Sequence, residues 1–183
     1  MIKQNNHQNK PKALLRDGRQ LYHIQDLAVL WKIHNPNTLY TTIKRYVQSG
    51  TLNRIYKGFY STVSLAQVDP VRLGLTALHS YGYLSTETVL AREGIIAQEI
   101  KYITLVSDIS KRFELGGHKY LVRAMRTKYL HNTDGIVTKD GVREAAVSRA
   151  VSDLLYYNPD YHFDAEHLID WDEVEKLRQQ IGY

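Results

Sequence analysis

The amino-acid sequence predicts an α+β chain in two parts: a small helical module closed by a basic hairpin, then helices around a small, mostly antiparallel sheet. Three observations carry this. Charge is partitioned, because residues 1–62 hold ten Lys or Arg against two Asp, a net +8, whereas residues 63–183 hold fourteen basic and seventeen acidic residues, a net −3. Apolar periodicity changes along the chain, from helical spacing before Gly50 to strand-like runs between residues 102 and 138, and back to helical spacing beyond residue 143. Turn signals at Asp17-Gly18, Lys57-Gly58 and Gly116-Gly117 separate the segments.

Three parts are expected: residues 1–12, 13–62 and 63–183. The first, MIKQNNHQNKPK, is polar and has no apolar signal core, so it reads as a mobile basic arm and a secretory route is disfavoured. No run approaches the eighteen or so apolar residues of a membrane helix. The chain contains no cysteine, which excludes disulfides, thiolate zinc sites and cysteine nucleophiles, and fits a reducing cytoplasm. With 43% apolar residues in 183 there is enough to bury a core, and a pI near 9.3 favours a polyanionic partner.

Residues 13–16 end an opening helix. Ile24, Leu27, Ala28 and Trp31 then fall at i, i+3, i+4 and i+7, the apolar face of a short second helix. His34-Asn35-Pro36-Asn37 makes the turn, and a third helix is expected over residues 38–49, with Asn37 as its cap and Gly50 as its stop. Leu39, Ile43, Tyr46 and Val47 should face inward. Thr38, Tyr40, Thr41, Lys44, Arg45 and Gln48 are then left on the outer face. Residues 51–61 read as two short strands around Lys57-Gly58, with a bulge because Leu52 and Ile55 do not alternate cleanly. Helix, turn, helix, hairpin is the order of a winged helix-turn-helix, which lays its later helix in the major groove of duplex DNA. Arg45, Gln48, Thr38 and Thr41 are side chains able to meet base edges, with Tyr40 beside them. Lys10, Lys12, Lys32, Lys44, Arg54 and Lys57 are expected on phosphates, the last two from the hairpin.

In residues 63–183, Pro70 opens a helix to about Ser80. Residues 83–94 read as a helix with Ser85 as cap and Gly94 as stop. Strands are expected over residues 102–106, 113–115, 118–125 and 135–138, then a helix over residues 143–157. A final helix begins at Asp170, which has capping-box spacing to Glu173. Alternation in residues 118–125 puts Lys119 and Arg123 on one face with Leu121 and Met125, opposite Tyr120, Val122 and Ala124. Lys101, Lys111, Arg112, Lys119, Arg123, Arg126 and Lys128 form a basic set that reads as a second DNA contact, a surface for RNA or an acidic partner, or an ordinary solvated face.

The segments YLSTETVLAREGI and AAVSRAVSDLLYY, placed after such an N-terminal module and around a β-rich middle, resemble the AbiEi antitoxins of bacterial abortive-infection systems, the antitoxin halves of type IV toxin–antitoxin pairs. The matching features are Ser85 with Gly94, and Arg149-Ala150 with Asp153-Leu154-Leu155. The resemblance spans about residues 21–157. It implies an N-terminal domain that represses its own operon by binding inverted repeats, and a C-terminal domain that counters a cognate toxin resembling nucleotidyltransferases.

Other chemistry is poorly supported by the residues. His162, Asp164, Glu166 and His167 in HFDAEH match no zinc spacing, and Asp134 and Asp140, the best pair of carboxylates for a magnesium-dependent nuclease, both precede glycines and read as turn residues. No Walker loop, GxGxxG or GxSxG occurs. The expectation is therefore a cytoplasmic DNA-binding antitoxin without catalytic residues, metal or cofactor, acting on double-stranded DNA and a possible toxin. A nucleic-acid-processing enzyme and a plain ligand-responsive regulator are the alternatives.

Overall fold

The computed structural model describes residues 9–183. The expected arm falls largely outside them, but its last residues do not: Lys10 and Lys12 lie in a helix, α1 (Asn9–Asp17). The chain divides into two units between Asp69 and Pro70.

In the first unit, α1 is followed by β1 (Leu21–His23), α2 (Ile24–Trp31), α3 (Pro36–Gln48) and a hairpin, β2 (Asn53–Tyr56) with β3 (Phe59–Ser61). Strand β1 was not expected. It pairs antiparallel with β3, giving a three-stranded sheet in the order β1-β3-β2. A three-residue strand has too short a period to be read locally, and its pairing partner lies some forty residues away. The bulge between Arg54 and Tyr56 is present. Leu14, Tyr22, Leu27, Trp31, Leu39, Ile43, Tyr46, Leu52 and Tyr60 form the core. Each such side chain contributes about 1.5–3 kcal/mol by leaving water.

The second unit holds α4 (Pro70–Leu78), β4 (Gly82–Leu84), α5 (Glu87–Arg92), β5 (Ile103–Ser107), β6 (Lys111–Leu115), β7 (His118–Ala124), α6 (Thr127–Leu130), β8 (Ile136–Lys139), β9 (Val142–Ala145), α7 (Val147–Tyr157) and α8 (Trp171–Ile181). The sheet is larger and less antiparallel than expected. Its six strands run β6-β7-β5-β4-β9-β8, with β5 parallel to β7 and β4 parallel to β9. Helix α4 lies close against it: a Cβ on Gly74 would fall 2.4 Å from the Tyr120 ring.

Two expected helices are shorter because strands take their first turns. Residues 82–84 join the sheet as β4, so the expected 83–94 helix shrinks to α5; residues 142–145 become β9, so α7 starts at Val147. In both cases strand pairing outweighs local helical spacing, β4 with the distant β5 and β9 mainly with β8 across the Asp140-Gly141 turn. The N-terminus of α8 is as read, with the Asp170 carboxylate accepting the Glu173 N–H at 3.0 Å. Among the described residues no helix is long and apolar enough to cross a membrane.

Candidate nucleic-acid interface

Helix α3 is positioned from both ends. Its cap is Asn35 rather than Asn37: the Asn35 side chain accepts the Thr38 N–H at 3.1 Å, and Pro36 takes the first helical position, where a missing N–H costs nothing. The expected start was two residues late because Asn37 and Asn35 are both competent caps, and only the backbone shows which is extended. At the other end Gly50, with φ +73°, turns the chain toward β2.

One face of α3 is buried through Leu39, Ile43 and Tyr46, joined by Thr42, which the sequence did not single out. All six outer residues, Thr38, Tyr40, Thr41, Lys44, Arg45 and Gln48, are exposed. They form two adjoining stripes at helical spacing, Thr38, Thr41 and Arg45 on one and Tyr40, Lys44 and Gln48 on the next. The first stripe, with Asn37 and Thr42, lines a shallow groove of about 320 Å³. The Thr41 hydroxyl donates to the Asn37 carbonyl at 2.8 Å, which leaves its methyl and its oxygen lone pairs for a ligand. The Arg45 guanidinium lies 5.8 Å from the centre of the Tyr46 ring.

Arg54 is exposed on β2, opposite Tyr60, and Lys57 is exposed in the hairpin turn. The turn is braced from beneath, since His23 stacks on Phe59 at 4.6 Å and Tyr56 packs on the same ring at 5.1 Å. Lys10, Lys12 and Lys32 meet at a second concavity of this unit, which Arg16 and Trp31 also line.

The second unit assembles a constellation that the sequence reading missed. Arg149 and Asp153, one turn apart on α7, are fully buried and paired at 2.8 Å. All five guanidinium donors are used: Nε on Asp153, Nη1 on the carbonyls of Asn132 and Asp134, and Nη2 on the Tyr83 hydroxyl and the Tyr129 carbonyl. Burial opposes the charge of Arg149, yet Asp153, Tyr83 and Tyr183 outweigh it and hold the guanidinium above its ordinary range. Ser85 does not cap α5. Its hydroxyl donates to Asp153 at 2.7 Å, and the Tyr183 hydroxyl donates to the same carboxylate. Gly135, at φ +70°, lets the turn carrying the Asp134 carbonyl approach, because a Cβ there would fall 2.8 Å from that of Arg149. The available signal was the i, i+4 spacing of Arg149 and Asp153 inside a helix that carries no other charge.

Several other chemistry-bearing residues have partners within the same unit. Asp134 and Asp140 sit in turns, their carbonyls accepting from Arg149 and Arg72. Asp164 accepts the Ala97 N–H at 2.7 Å, and His162 lies 3.6 Å from Glu166, both exposed. In β7, Tyr120 and Val122 point into the core while Lys119 is exposed, and Arg123 pairs with Glu87.

No family profile matches the chain, and no curated protein is similar to it. Among solved structures it is similar to the crystal structure of the RV2827C protein from Mycobacterium tuberculosis, with a TM-score of 0.53 at 13% identity over 96% of this chain and 72% of that one. At that identity the likeness is one of fold alone.

Proposed function

We propose that this chain is a DNA-binding antitoxin: its first unit is a winged helix that represses its own operon, and its second unit counters a nucleotidyltransferase-like toxin. The observation that carries the DNA half is α3, a helix capped at both ends and buried along one face, whose other face displays Thr38, Tyr40, Thr41, Lys44, Arg45 and Gln48 to solvent. The helix–strand–helix–helix–hairpin order and the net +8 of residues 1–62 support it. Base edges are read from α3, and Arg54 and Lys57 hold the backbone.

The antitoxin half rests on the resemblance to the AbiEi family. Supporting it, Ser85, Arg149 and Asp153, residues that carry the resemblance, share one buried network, an arrangement that helical periodicity alone does not require.

The test is binding of the purified chain to its own promoter fragment and to random duplex. Arg45→Ala weakens promoter binding by about 1–3 kcal/mol and spares random DNA, whereas Lys57→Ala weakens both alike. Equal loss on both duplexes for Arg45→Ala removes its base-reading role. Co-expression with a neighbouring nucleotidyltransferase-like gene, with and without residues 63–183, tests the antitoxin half.

A further inference from the structure

The second unit carries a concavity of its own at one corner of the six-stranded sheet. There the Gly116-Gly117 turn between β6 and β7 meets the chain entering β5. A groove of about 470 Å³ is lined by Thr88, Lys101, Tyr102, Gly117, His118 and Lys119, together with two isoleucines, and by no carboxylate. Lys101, His118 and Lys119 are exposed. Glu114 stands across from Lys119 in the β6–β7 register.

The cations at this corner differ from three arginines elsewhere in the unit. Arg92, Arg123 and Arg149 are each paired with a carboxylate. Lys101, Arg112 and Lys119 form no ion pair among the described residues. An aromatic ring lies among them: the Arg112 guanidinium lies 5.8 Å from the centre of the Tyr102 ring. The floor is rigid. Thr88 donates to the Tyr102 carbonyl at 3.2 Å and is tied to Thr104 through the backbone N–H of both residues.

Cations without carboxylate partners around a positioned aromatic ring, in a concave setting, suit a nucleotide whose base is free to stack. A duplex keeps its base faces covered and needs only a basic surface. An acidic polypeptide would use the lysines and leave the ring idle. We infer that this groove seats an unpaired nucleotide of a single-stranded nucleic acid, with the base on Tyr102 and the flanking phosphates on Lys101 and Lys119. The inference does not depend on duplex recognition by α3.

The experiment uses the full chain and fluorescein-labelled short oligouridylate and oligothymidylate, followed by anisotropy across a salt series. Saturable binding is expected at low salt. Tyr102→Ala weakens it about tenfold and Tyr102→Trp restores it. Lys101→Gln with Lys119→Gln reduces the magnitude of the slope of log K against log salt by about 1.4, or roughly 0.7 per phosphate contact on a single strand. A Lys44→Ala/Arg45→Ala variant, disabled in α3, keeps its affinity for the single strand, so failure of the proposed operator binding is read separately. Photocrosslinking with thiouridine labels the peptide containing Tyr102. Absence of saturable binding overturns the inference, as does binding indifferent to the Tyr102 and lysine substitutions or lost in the α3 variant. Displacement of the strand by polyglutamate, with polyglutamate affinity independent of Tyr102, assigns the groove to acidic polypeptides instead.

Discussion

Asp153 accepts hydrogen bonds from Ser85, Arg149 and Tyr183 and is fully buried. A buried ion pair is a weak net source of stability, but losing one partner strands the other's charge. Asp153→Ala therefore destabilises the second unit by about 3–5 kcal/mol, and Ser85→Ala by only about 1–2 kcal/mol. Urea denaturation of the two variants measures both; a smaller loss for Asp153→Ala than for Ser85→Ala would refute the charge argument. Burial also pushes the phenols of Tyr83, Tyr157 and Tyr183 above the ordinary value of 10.0, with the Asp153 carboxylate adding to the shift. The folded state thus keeps protons that the unfolded chain releases. This contribution to stability is full below pH 10 and is lost as pH rises beyond it, at about 1.4 kcal/mol per pH unit for each tyrosine. Denaturation between neutral and strongly alkaline pH should show this fall, and Tyr83→Phe should make it shallower by one tyrosine's share.

At the scale of elements, α3 shows how local chemistry prepares an exposed helix face. Asn35 satisfies the Thr38 N–H in the helix's first turn, next to the exposed Thr38 and Thr41. Asn35→Ala should cost about 1 kcal/mol of stability in the first unit, seen as a lower midpoint in chemical denaturation. Asn35→Asp should restore most of it, because the aspartate oxygen accepts the same bond. This helix was legible because its apolar stripe, proline and glycine lie within fifteen residues of one another. Strands β1 and β4 were not, since each is only three residues long and is defined by partners far away in the chain; β9, paired mainly with β8 across the Asp140-Gly141 turn, is four residues long and runs straight into the helical pattern of α7. The same limit explains Ser85. Before a helical pattern it reads as a cap, and only the arrival of α7 turns its hydroxyl to Asp153.

For the whole molecule, the charge partition is the physical lever. The two units divide between Asp69 and Pro70, and the excess positive charge belongs to the first. If about five of its phosphate contacts form on the operator, log K should fall with log salt at a slope of about −4 to −5. A gel-shift series from low to moderate salt checks this, and a slope near −1 would mean that charge plays little part in docking. Of the eleven residues assigned to DNA from sequence, Lys10 is half-buried and ten are exposed, six of them on α3 and two on the hairpin. Their exposure was legible from periodicity, because a residue's side of a helix depends only on its neighbours in the chain.

Composition and spacing alone determined the charge asymmetry, the amphipathic course of α2 and α3, the turns at Lys57-Gly58 and Gly116-Gly117, and the cap of α8. These follow from interactions between residues a few positions apart. The tertiary structure decided the mixed six-stranded sheet, the burial of Arg149 with Asp153 and Ser85, and the groove beside Tyr102. Each depends on segments brought together from far apart in the chain, where burial and hydrogen bonding with a distant partner outweigh local preference.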